Sequence, residues 1–296
     1  MTAPEHPIRI RVDVANPGQF FACCGLLELA HLLWPGVEGW FGDGEFLIAV
    51  SGTASGRVED ILVQLCNSRI EPDESRGEAA LHPVRLALPG KAPPGSLGLT
   101  LDWWIDSNGT KTRLKLWAGQ QTSLHIVSEL QAALARLDTQ RPAGEMLDNP
   151  MPLTGRFGVD PRAAWNALDM GFSPNDQKMK VATYPAVELL AAVGLQRCRP
   201  VVAREGLSGA TVGLSDRAPL SGTEQSQDTA GQASRGTGGG NLRYATWAVP
   251  LPAVLAPAAA AGMLPVESRG LYQFQIGSRG SYKGFDFATR IAGDPA

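Results

Sequence analysis

The sequence predicts an α+β fold, and three local patterns carry that prediction. Ile8, Ile10, Val12 and Val14 alternate with Arg9, Arg11 and Asp13, the period of a half-buried strand. Phe20, Cys24, Leu27, His31 and Trp34 recur at the spacing of one helix face. Ser107-Asn108-Gly109-Thr110 separates two apolar runs, Leu97–Ile105 and Leu114–Trp117, and Asn-Gly is a turn dipeptide that closes antiparallel hairpins.

Taken in order, the strand at residues 8–14 comes first. Asn16-Pro17-Gly18-Gln19 then starts a helix. Asn16 is the cap, Pro17 takes the first helical position, where no amide hydrogen is needed, and Gln19 is spaced to reach back as in a capping box. Pro35-Gly36 stops this helix. A strand near Phe46–Val50 and a helix near Arg57–Cys66 complete a β-α-β-α opening. Residues 71–96, rich in proline and acidic side chains, read as loop. After the hairpin, Leu124, Val127, Leu130, Leu134 and Leu137 mark a helix over 123–137. Another proline-started helix follows Tyr184-Pro185, with Val187, Leu190, Ala191 and Leu195 apolar. Its residues 188–195 echo 23–30 of the first helix, as an internal duplication would. Residues 206–240 are rich in Gly, Ser, Thr and Gln and read as a flexible insertion. Asn241–Val249 and Leu271–Ile276 are strand-like, and Phe285–Ile291 reads as a last short helix. The chain divides into halves at 1–145 and 146–296, either two domains or one continuous unit.

Of 296 residues, 44% are hydrophobic and 19% charged, which supports a sizeable core and excludes wholesale disorder. The 34 glycines and 22 prolines call for many turns. A net charge of −3 excludes a globally basic nucleic-acid binder but leaves room for a basic face. Charge is uneven: residues 1–100 carry a net −5, and residues 230–290 a net +4. No apolar run reaches the ~18 residues of a membrane span, so no membrane partner is expected. The start lacks a basic stretch followed by an apolar one, and a cytoplasmic location is expected. Cys23, Cys24, Cys66 and Cys198 lack zinc-ligand spacing and read as reduced thiols.

A nucleophile elbow, a Walker loop and a His-Glu-x-x-His helix are all absent. His6, His31, His82 and His125 are scattered, and His31 reads as a hydrogen-bonded core residue. Asp160 before Pro161 reads as a helix cap, with Trp165 and Leu168 packing behind it. Asp169, Asp176 and Lys178 form the alternative, a metal nuclease in which two carboxylates hold a divalent ion and the lysine steadies a leaving phosphate. Otherwise the residues call for no catalytic set, no metal and no cofactor.

Binding has more material. Arg279, Lys283, Tyr282 and Phe285 join two cations to two aromatics among glycines, fit for phosphates and for a splayed base. Arg235 and Arg243 flank another glycine-rich run. Lys111, Arg113 and Lys115 alternate along the second hairpin strand and are expected on one exposed face. Trp103, Trp104 and Trp117 are either an exposed protein interface or a sheet packed on both faces.

Several strings together resemble a CRISPR-associated family of type I-G (earlier I-U) loci. Residues 16–28, opening Asn16-Pro17-Gly18-Gln19-Phe20-Phe21, resemble its N-terminal signature. Lys115-Leu116-Trp117-Ala118-Gly119-Gln120-Gln121 and Leu168-Asp169-Met170-Gly171-Phe172-Ser173 are similar to its middle. Tyr184-Pro185-Ala186-Val187-Glu188-Leu189-Leu190 lies beyond these, and Arg279-Gly280-Ser281-Tyr282-Lys283 looks like the C-terminal block. The resemblance spans about 8 to 288 apart from 206–240. It implies a non-enzymatic subunit of a Cascade-type ribonucleoprotein serving antiviral defence. Such a subunit would contact crRNA or target DNA and the other effector subunits. It also implies a core like an RNA-recognition motif, with 206–240 as a thumb. The acidic balance departs from a guide-holding subunit and points to a peripheral one, bound through protein contacts and one basic face.

Overall fold

The computed structural model describes residues 7–50, 56–89, 98–117, 121–137, 143–163, 179–203, 241–279 and 282–291. The strand at Ile8–Arg11 (β1) and the helix at Pro17–Leu33 (α1) form as expected. Asn16 Oδ1 accepts the Gln19 amide at 3.2 Å. The Gln19 side chain does not close a capping box: its Oε1 accepts the Asp13 N–H at 2.6 Å instead. Two strands, not one, follow: Glu38–Phe41 (β2) and Glu45–Ala49 (β3). Helix Val58–Cys66 (α2) comes next, so the opening is β-α-β-β-α.

Residues 71–96 are less loop-like than expected. Arg69–Pro72 (β4) runs into them, and Val84–Ala87 (β5) forms there and pairs with Gly98–Leu101 (β6). Helix Ser123–Leu134 (α3) is capped by Thr122. Met151–Leu153 (β7) pairs with Val181–Thr183 (β8), ahead of helix Pro185–Leu195 (α4). Val201–Val202 (β9), Leu242–Trp247 (β10) and Leu251–Pro252 (β11) lead to the short helix Ala256–Ala260 (α5). Ser268–Phe274 (β12), Ile276–Arg279 (β13), Tyr282–Phe285 (β14) and Thr289–Ile291 (β15) complete the described chain. The expected last helix is absent because Thr289–Ile291 pairs with β12.

Every strand pairing among the described residues is antiparallel. One sheet runs β1-β3-β2-β11, another β15-β12-β10-β9, a third β4-β5-β6; β13-β14 and β7-β8 form two further pairs. This establishes the α+β class. The order β1-α1-β2-β3-α2-β4 is that of a split βαβ unit, but β4 leaves for the sheet with β5. The RNA-recognition-motif core that the resemblance implied is therefore not established. Segment 206–240 lies outside the described residues.

The aromatic centre joins the two larger sheets through α1. The Phe20 ring stacks on Tyr244 at 4.1 Å and on Phe41 at 5.4 Å. Trp247 donates its indole N–H to Gly39 O at 2.8 Å, and Tyr244 its hydroxyl to Val14 O at 2.7 Å. Helices α1 and α4 run side by side in the same direction: Gly18 meets Val187, Gly25 meets Gly194, and Arg197 pairs with Glu28 at 3.0 Å. A Cβ on Gly25 would fall 2.0 Å from Leu190 O, and one on Gly194 2.0 Å from Phe21 O, so only glycine fits at the crossing. All four cysteines are free thiols, and burial pushes the Cys23 and Cys24 thiols well up. His31 departs from expectation, since its enclosed Nδ1 meets no hydrogen-bond partner among the described residues. No helix among the described residues is long and apolar enough to cross a membrane.

Candidate nucleic-acid interface

The site is organised by a carboxylate that the 184–190 string contains and to which the sequence assigns no role. Glu188, fully buried in the first turn of α4, accepts N–H groups from Phe157 at 2.7 Å, Gly158 at 3.0 Å, and Val159 and Asp160 at 3.2 Å each. Burial first, then the neighbouring Asp160 carboxylate, push Glu188 up to about 7, against the pull of these amides and of Arg156. Asp160, read as a cap, does accept the Arg162 amide at 3.0 Å. It also binds the Asn16 side chain at 2.9 Å and pairs with Arg162 at 2.7 Å. Arg162 reaches Asp148 at 2.6 Å and lies 3.7 Å from the centre of the Tyr184 ring. The starts of α1 and α4 are thus tied to loop 157–160. One signal could have found this: Glu188 is the lone charge in an otherwise apolar helix.

That loop is a seam. Gly158 has φ +86, and its carbonyl accepts the Phe285 N–H at 3.1 Å. A Cβ there would lie 3.3 Å from Lys283 O and 3.7 Å from Leu116 Cβ. Segment 111–117 and strand β14, distant in sequence, therefore meet at one place.

The cations gather beside it. Asn108-Gly109 does turn the chain back, with Gly109 at φ +76, but only Lys111 bridges to Ile105. The strand expected at 114–117 does not form: Lys115 N–H bonds Thr112 O at 3.1 Å in a turn. The side-chain alternation survives, with Thr112, Leu114 and Leu116 buried. Arg113 and Lys115 are half-buried rather than exposed, because this segment packs against the core instead of pairing. Burial pulls the Arg113 guanidinium down from its usual value. Lys115 Nζ donates to Trp117 O and lies 5.0 Å from the centre of that indole ring. Burial first, then repulsion by Lys111 and Lys283, lower Lys115 to about 8, with Glu78 opposing. Lys111 is itself held by Glu78 at 3.2 Å. Lys283 is exposed. Arg279 faces Tyr282 in the β13-β14 register, with both side chains outside the described residues.

Two expectations are corrected and others fall elsewhere. Phe285 cannot stack a base: it is 1% exposed and packs on Phe274 at 4.8 Å, where β14 closes over the core. Trp103, Trp104 and Trp117 are no exposed interface. They are buried against each other and Phe157, Trp103 and Trp104 both inward because they lie in a turn. Arg243, on β10, donates to Gln273 at 2.9 Å, and no described contact joins it to the lysines. Arg235, Asp169, Asp176 and Lys178 lie outside the described residues. Among the described residues no group of three His, Cys, Asp or Glu is placed to hold a metal. No protein-family model, no curated protein and no solved structure matches the chain.

Proposed function

We propose that the chain is a non-enzymatic, cytoplasmic subunit of a type I-G (earlier I-U) CRISPR surveillance complex, contacting crRNA or target DNA through one basic face and neighbouring subunits elsewhere. The observation that carries the reading is the meeting of Lys115 and Lys283 beside the Gly158 seam, with Lys111 close enough to act on Lys115. Like charges held this close repel one another, and a polyanion relieves that repulsion while releasing its own counterions. Lys115 and Lys283 each belong to a string that carries the family resemblance, 115–121 and 279–283. The net charge of −3 fits a peripheral subunit with a single basic patch.

A salt titration of binding to single-stranded RNA, single-stranded DNA and duplex DNA tests the reading. The Lys115→Ala, Lys283→Ala double variant is expected to weaken binding about equally across sequences and to lower the salt slope by about 2. Equal binding by this variant would move the site elsewhere, and no binding by the unaltered chain at low salt would remove nucleic acid from the proposal.

One observation favours protein contacts as well. No charged residue lies between Arg243 and Glu267, and that stretch leaves Val254, Leu255 and Met263 exposed. Such an uncharged apolar surface suits a neighbouring subunit and not a phosphate backbone.

A further inference from the structure

We infer that Phe287 is a base-stacking platform, which makes the ligand of this face a single-stranded nucleic acid with splayed bases. The inference rests on the reading of the lysine face as a polyanion site. Phe287 is 49% exposed, whereas Phe285 is 1% and Ala288 6% exposed, so the chain turns one ring outward between two inward side chains. Its backbone is fixed on both sides. The Asp286 N–H donates to Gln275 O at 3.0 Å and the Ala288 N–H to Ala15 O at 2.7 Å. The ring is therefore presented by a held loop, and little conformational freedom is lost when a base lands on it.

Position and surroundings fit. Phe287 follows Lys283 by four residues, which puts its Cα within about 14 Å of the lysine's, the reach of one or two nucleotides. Exposed Arg290 lies three residues further on. Among the described residues Phe287 is the one exposed aromatic side chain; Trp103, Trp104, Trp117 and Phe157 beside the lysines are all enclosed. A duplex keeps its base faces stacked on each other, so it can use the lysines and not the ring. A single strand can use both.

The test compares the full chain with Phe287→Ala and Phe287→Tyr, using labelled oligouridine and an RNA duplex as probes. Phe287→Ala is expected to weaken oligouridine binding roughly 5- to 150-fold. Duplex binding and the salt slope should stay unchanged, and Phe287→Tyr should restore affinity. Thermal melting establishes that both variants fold, as substitution of an exposed ring should allow. If the unaltered chain binds oligouridine in a salt-dependent way and Phe287→Ala binds it equally well, the stacking role is overturned while the polyanion site stands. If the unaltered chain binds neither probe at low salt, the polyanion site itself falls and the stacking role with it.

Discussion

Lys115 keeps a charge where burial and two neighbouring lysines oppose it. Its value near 8, against 10.5 for a free lysine, has a definite sign in linkage. Between those two pH values the folded chain binds fewer protons than the unfolded one, so this group's contribution to stability rises with pH there. Binding reverses the balance, because a phosphate beside Nζ draws the proton back. Affinity for a polyanion is therefore expected to fall as pH rises from 7 through about 8 to 9.5, and Lys115→Arg should flatten that profile in binding measured by anisotropy. These lysines were legible in the sequence as an alternating row. Their union with Lys283 was not, because it depends on Gly158 and on the buried Glu188, which no spacing rule connects to either segment. Phe285 and Phe287 show the same limit. Both are phenylalanines beside cations, and only the closure of β14 over Phe274 decides which of them faces water.

Among the elements, the pair α1 and α4 was the most legible. Each begins with proline after a residue in a non-helical conformation, and each carries an internal glycine. The echo between residues 23–30 and 188–195 has a physical counterpart, since Gly25 and Gly194 meet where the helices cross. Gly25→Ala would gain up to about 1 kcal/mol of helix propensity in isolation. Here the new Cβ would strike Leu190 O, a backbone atom that moves only with its helix. A net destabilisation of about 1–3 kcal/mol is expected, read from the denaturant midpoint. The short strands were the least legible. β2 is four residues long and holds a glycine, and β5 lies between prolines, so neither builds the run of branched or aromatic residues that marks a strand. β15 was misread as helix because its pairing with β12 is decided by tertiary contact.

For the molecule as a whole, the α+β class followed from local patterns, whereas the sheet order did not, because strand pairing between distant segments leaves no local mark. The charge distribution has the same character. The basic face gathers from positions 111–115 and 283, while the stretch between Arg243 and Glu267 shows an apolar, uncharged surface. If that surface receives a neighbouring subunit, Val254→Asp with Met263→Asp should weaken co-purification roughly tenfold or more while leaving oligonucleotide binding unaltered. Association that survives both substitutions would place the contact on another face. The close approach of Gly25 and Gly194 bears on how such a chain tolerates change in length. Backbone lies against backbone there, so the spacing of the crossing is set by Gly25 and Gly194 together with the 157–160 tie, and not by the length of the surface loops between the helices. Everything between α1 and α4 is an excursion that leaves a fixed point and returns to it. Lengthening a loop on that excursion costs only ring-closure entropy, about 0.6 kcal/mol for each doubling, so surface segments there can grow or shrink without disturbing the packing that aligns the two helices.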